Sequence, residues 1–141
     1  MNEIAQRLRE RVKRFTVRLL RFVRTLPSDI ATVTVARQLA RAGSGASANY
    51  RAACRARSRA EFIAKLGTVV EEIDEAEHWL DVLKEGELTA GTDLDWLRGE
   101  ASELRAIFKT SLDTARANFA RLQHSNPAAP SRNRRPRIRK S

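Results

Sequence analysis

Seven apolar residues near the N-terminus, Ile4, Leu8, Val12, Phe15, Leu19, Phe22 and Leu26, recur at steps of 4, 4, 3, 4, 3 and 4. Only a helix gathers such positions on one face, because 3.6 residues per turn align every third or fourth side chain. A strand would scatter them over both sides of a sheet. The spacing predicts a helix over residues 3–25 with a seam of coiled-coil type. Pro27 closes it, since the residue before a proline resists helical geometry. Ser28 or Asp29 can then cap the next helix.

The same period returns three more times. A second helix is predicted over 30–56, with Val33, Ala36, Leu39 or Ala40, Gly43, Ala46, Tyr50 and Ala53 on its apolar face. Its middle, Ala42 to Ala48, holds only small residues. The two glycines there cost about 1 kcal/mol each against alanine. Either they admit a close neighbouring helix, or the helix breaks near Gly43 to Gly45. Ser58-Arg59-Ala60-Glu61 has the pattern of a capping box. It opens a third helix over 59–84, with Phe62, Leu66, Val69, Ile73, Ala76, Leu80 and Leu83 on one face. Gly86 to Thr92 reads as a loop, and Thr92 or Asp93 as the cap of a fourth helix. That helix has its seam at Leu97, Ala101, Leu104, Phe108, Ser111 or Leu112, Ala115, Phe119 and Leu122. Asn126, Pro127 and Pro130 end it. Four long helices joined by short connections predict an all-α, antiparallel up-and-down four-helix bundle over 1–124. Residues 125–141 lack apolar periodicity and predict a disordered basic C-terminal tail.

Cys54 is the one cysteine of 141 residues, so no intrachain disulfide can form. It reads as a small packing residue in a reducing compartment. No apolar run approaches the ~18 residues of a membrane span. Charges at Arg7, Arg9, Glu10 and Arg11 interrupt any signal-peptide core. A cytoplasmic location is the expectation. An amphipathic membrane role for the first helix would need its apolar face free, and a bundle buries that face.

The net charge of +10 is unevenly spread. Residues 1–24 hold eight basic and two acidic side chains, and 25–57 hold five and one. Residues 58–92 reverse the balance, with three and nine; 93–124 hold five of each, and 125–141 six basic and none acidic. Arg7, Arg11, Arg14, Arg18 and Arg21 form a ridge about 100° from the apolar face of the first helix. Arg37, Arg41, Arg51 and Arg55 extend it onto the second. Arginines at one-turn spacing can follow phosphates, each contact releasing counterions. They can equally be a solvated face paired with the acidic third helix. In the tail, Arg132, Arg134, Arg135, Arg137, Arg139 and Lys140 are expected to bind phosphates nonspecifically, without aromatic side chains for stacking; a solubility tail, or one that binds acidic protein surfaces, is the alternative. The acids of the third helix, Glu71, Glu72, Asp74 and Glu75, are candidates for head-to-tail contacts between subunits. Pairing between adjacent helices of one bundle is the alternative. Trp79 and Trp96 lie at the edges of apolar stripes, where core or subunit packing is expected.

No catalytic, cofactor or metal site is expected. Glu75 and His78 match the Glu-x-x-His of di-iron bundles, but such a site needs a second copy. The other histidine, His124, has Arg121 three residues before it. His78 also falls about 200° from the core face. Two histidines and one cysteine make no zinc cluster. Gly43-Ser44-Gly45 follows no strand and cannot be a phosphate loop. Ser44, Ser47 and His78 have no triad-like spacing.

Arg41-Ala-Gly-Ser-Gly-Ala-Ser-Ala-Asn49-Tyr50-Arg51-Ala-Ala53, Ser58-Arg-Ala-Glu-Phe-Ile-Ala-Lys-Leu66 and Glu72-Ile-Asp-Glu-Ala-Glu-His-Trp-Leu80 together resemble a known family. It is the bacterial four-helix-bundle family of the 23S ribosomal RNA intervening-sequence type. The resemblance spans roughly residues 5–122 and is strongest from Gln38 to Leu83. It implies a bundle that assembles as a ring, typically a pentamer. A related branch is the accessory variability determinant of diversity-generating retroelements, a basic pentamer that binds a reverse transcriptase and nucleic acid. Many members carry a proline where this chain has Gly45-Ala46-Ser47, and the arginine tail exceeds the family core. The leading expectation is a non-enzymatic, oligomeric nucleic-acid-binding protein. The alternative is a scaffold or accessory subunit that binds a partner enzyme.

Overall fold

A computed structural model describes residues 2–125. The expected tail, with its six basic residues, lies outside the described residues. Four helices follow one another: α1 (Glu3–Val23), α2 (Ile30–Cys54), α3 (Arg59–Glu85) and α4 (Thr92–Ser125). Each packs on its neighbours in an up-and-down bundle, α1 against α2 and α4, α3 against α2 and α4. Consequently α1 begins, α2 passes to α3, and α4 ends at one end of the molecule. The α1–α2 and α3–α4 turns share the other.

The helix boundaries follow from caps. Asn2 accepts from Ala5 N at 2.7 Å to start α1. Asp29, rather than Ser28, caps α2: its carboxylate accepts from the backbone N of Thr32 at 3.0 Å and from its hydroxyl at 2.9 Å. These hydrogen bonds, the backbone one foremost, lower the Asp29 pKa. The capping box of α3 forms with its return bond displaced by one residue. Ser58 Oγ accepts from Glu61 N, and the Glu61 carboxylate reaches back to Arg57 N. α3 stops in a Schellman arrangement, with Leu88 N bonded to the Leu83 carbonyl and Glu87 N to that of Lys84. α4 begins at Thr92, ahead of the expected cap; Gly91 precedes it at φ 131° and its carbonyl accepts from Asp95 N.

The core is continuous through all four helices. The predicted stripe of α3 is buried from Leu66 to Leu83, and that of α4 from Leu97 to Leu112. The Tyr50 and Phe108 rings meet across the bundle with centroids 4.8 Å apart. α2 is unbroken, and its small residues serve both neighbours. A Cβ at Gly43 would stand 2.7 Å from Leu19 of α1, and one at Gly45 would stand 3.0 Å from the Glu72 carboxyl of α3. Close approach, not a kink, therefore accounts for the two glycines.

Three expectations of burial need correction. Ile4 is 77% exposed and Leu122 46%. The helices differ in length: α1 spans about 32 Å and α4 about 51 Å at 1.5 Å per residue, so α1 cannot cover the whole of α4. At the start of α2 the buried positions are Thr32 and Val35, while Val33 and Ala36 are half-buried. Capping by Asp29 satisfies the Thr32 hydroxyl, which lets a polar side chain turn inward. Thr16, absent from the predicted stripe, is buried for a similar reason: its hydroxyl donates to the Gly43 carbonyl at 2.7 Å.

Candidate nucleic-acid interface

The five arginines of the α1 ridge divide into two groups. Arg7 pairs with Glu3 one turn back. Arg11 reaches across to α4, with Nε 3.1 Å and Nη2 2.6 Å from the two Glu100 oxygens, and it also meets Glu103. Arg18 lies 3.5 Å above the Trp96 ring and 4.0 Å from Asp93. Arg14 and Arg21 are exposed and form no ion pair among the described residues. Two of the five ridge arginines, Arg11 and Arg18, thus hold α1 to α4, and Trp96 is the platform for Arg18.

On α2, Arg41 is held by Glu72 at 3.7 Å and by a short hydrogen bond to Glu75. That bond lowers the Glu75 pKa, whereas burial raises that of Glu72, one of whose oxygens has no hydrogen-bond partner. The acids of α3 are further claimed by α4: Glu77 by Arg105 and Asp81 by Arg98. Glu71 and Asp74 stay exposed and unpaired among the described residues. Trp79 is half-buried, its Nε1 without a partner and its ring edge-on to exposed His78. Charge segregation along the sequence therefore becomes, in large part, pairing between adjacent helices. No three histidine, cysteine or acidic side chains come together as a metal site among the described residues.

Six of the unpaired cations collect elsewhere, around the C-terminal half of α2. Two adjoining concavities flank the last turns of α2. One, of about 330 Å³, lies towards α1 and is lined by Arg9, Lys13, Ser47, Ala48 and Arg51. The other, of about 560 Å³, lies towards α3 and is lined by Ala48, Arg51, Ala52, Arg55, Arg57, Glu61 and Lys65. Ala48 and Arg51 belong to both, so they form one groove astride α2. None of its six cations enters an ion pair among the described residues. Its single acid, Glu61, is committed to the α3 cap. Arg51 and Arg55 were expected in such a surface. Arg9, Lys13 and Lys65 were not: Arg9 and Lys13 lie one turn apart on α1 but off the predicted ridge, and Lys65 comes from α3, so no spacing along the chain joins them to Arg51 and Arg55. Arg37 is exposed near the opposite end of α2 and takes no part in the groove.

Fold and surface define a basic, up-and-down helical bundle with one uncompensated cationic groove. The chain belongs to the 23S rRNA-intervening sequence protein family, whose model matches residues 6–110. Among solved structures it is similar to a protein of unknown function from the S23 ribosomal protein family of Bacteroides thetaiotaomicron. The two share 25% identity and a TM-score of 0.70 over 77% of this chain and 97% of that one. No curated protein matches the sequence. No helix among the described residues is long and apolar enough to cross a membrane.

Proposed function

We propose that the protein is a non-enzymatic, nucleic-acid-binding bundle that engages phosphates through the groove astride α2. The observation that carries this reading is the six unpaired cations around two adjoining concavities, with alanine and serine on the α2 surface between them. Uncompensated positive charge in a concavity concentrates polyanions, and each neutralised phosphate releases counterions. The arginine-rich segment from Arg132 to Lys140 supplies a second set of phosphate contacts. The family's name points towards RNA.

The same reading includes assembly into a cytoplasmic homo-oligomeric ring, five subunits being the number the family resemblance implies. Exposed Val17 and Leu20 on α1, and the free acids Glu71 and Asp74 on α3, are surface that an adjacent copy can cover. Cyclic symmetry would give every subunit an equivalent groove.

Fluorescence anisotropy with a labelled RNA hairpin tests the binding. Affinity should fall at least about a thousandfold between roughly 50 and 200 mM salt, the drop that the six groove contacts alone require. An affinity insensitive to salt, or absent at low salt, refutes the proposal. Light scattering on the same sample gives the subunit number, and a clean monomer refutes the ring.

A further inference from the structure

We infer that the groove takes the phosphate backbone of a double helix in preference to a single strand. This rests on the reading of the groove as a nucleic-acid surface and adds the form of the ligand.

The groove contains no aromatic side chain. Proteins that hold single strands combine a basic track with aromatic platforms, and each stacked base adds roughly 1–3 kcal/mol. Here the tryptophans are committed elsewhere: Trp96 beneath Arg18 on the α4 side, and Trp79 beside His78. Tyr50 on α2, the one tyrosine of the sequence, is 4% exposed and packed on Phe108. The floor is Ser47, Ala48 and Ala52, which offers no side-chain amide for reading base edges. An unstacked strand would therefore find charge but nothing to hold its bases.

A duplex needs neither. It presents two rows of phosphates with the bases already stacked inside. The cations are correspondingly arranged on both sides of α2. Arg9 and Lys13 stand on α1, Lys65 on α3 and Arg57 at its start, with Arg51 and Arg55 between them. Neighbouring helices pack about 8–10 Å apart, so the axes of α1 and α3, diagonal to each other in the bundle, are separated by roughly 11–14 Å. Long side chains close part of the gap, bringing the charges towards the ~12 Å and ~6 Å groove widths across which a duplex displays its strands. Small residues on the ridge of α2 leave room for a convex backbone. Sequence should matter little, because phosphate contacts position without reading bases.

The test uses the full-length protein and four labelled probes: one RNA strand, its duplex, and the corresponding DNA strand and duplex. Competition titration at fixed salt should give at least one duplex an affinity about tenfold above that of its own strands. Arg51→Gln/Arg55→Gln should remove that advantage and reduce the duplex salt slope by about 1.8, two contacts at 0.9 each. Lys13→Gln/Lys65→Gln, which alters the flanking rows alone, should do the same, with helicity by circular dichroism unchanged. Strands binding as tightly as duplexes would overturn the inference while leaving the nucleic-acid reading standing. So would a duplex advantage that survives both variants. Salt-insensitive binding of all four probes would instead refute the reading on which it rests.

Discussion

Leu19 and Gly43 meet so closely that a single added carbon would lie 2.7 Å from Leu19 Cδ1 and 2.9 Å from Cδ2. Leu19 is fully buried and has nowhere to move. The hydrogen bond from Thr16 to the Gly43 carbonyl lies in the same contact. Here α1 and α2 are drawn together by the absence of a side chain.

Gly43→Ala should therefore destabilise the protein. Helix propensity favours alanine by about 1 kcal/mol, but overpacking a full core costs about 1–3 kcal/mol. Gly99, within α4, has nothing within 4 Å of a built Cβ. Gly99→Ala should stabilise by about 0.5–1 kcal/mol. Urea denaturation of the two variants should show midpoints moving in opposite directions.

Arg11 and Arg51 separate structural from free arginines. Arg11→Ala leaves Glu100, 11% exposed, without its bidentate partner. The expected loss is about 1–2 kcal/mol, between an exposed pair and a buried one. Arg51→Ala breaks no pair and should change stability by less than about 0.5 kcal/mol, while weakening binding. If both variants lose stability equally, the division of the cations into two groups is wrong.

Glu72 and Glu75 share Arg41 yet should respond oppositely to neutralisation. Burial raises the Glu72 pKa, so the fold binds its proton more tightly than the unfolded chain does. Its contribution then weakens as pH rises from the unfolded carboxylate value through the folded one. The Arg41 bond lowers the Glu75 pKa, so its contribution is present above the unfolded value and is lost as pH falls through the folded one. At pH ~7, Glu72→Gln should raise the melting temperature and Glu75→Gln should lower it. Solvent screening keeps each effect near 0.5 kcal/mol. The Glu72 difference should fade as pH falls through its raised pKa to the ordinary carboxylate value, and the Glu75 difference only at lower pH, through its depressed pKa.

Removal of residues 126–141 deletes six cations. If all six contact a duplex, the salt slope should shrink by up to about 5. The bundle should keep its melting temperature, since the core of the described residues, from Val12 to Leu112, is retained. A measurable duplex preference should survive in the truncated protein, because the groove lies wholly within residues 9–65.

Periodicity made the fold legible where large apolar residues mark one face. All six core positions of α3 from Leu66 to Leu83 follow the predicted stripe. It failed where the signal is carried by alanine and threonine, as at Thr32 and Val35. Alanine packs on either side of a stripe, and a threonine turns inward once its hydroxyl is satisfied. The candidate site was legible only in part. A ridge such as Arg7 to Arg21 is visible in sequence, but the α4 acids that pair with Arg11 and Arg18 sit 75 to 92 residues away, apart from the local Glu3. Conversely, Arg9, Lys13 and Lys65 become one surface only when α1, α2 and α3 come together.

The groove occupies the end of the molecule where α2 passes to α3, and the cation-rich segment after α4 departs from that same end. Glu85 and Glu87 stand at the other. The long axis of the bundle is thus also an axis of electrical polarity. A polyanion exerts a torque on such a rod before any contact forms, turning the basic end forward during diffusion. Much of the orientational search that slows docking is then completed in solution, and ionic strength should alter the association rate more than the lifetime of the complex.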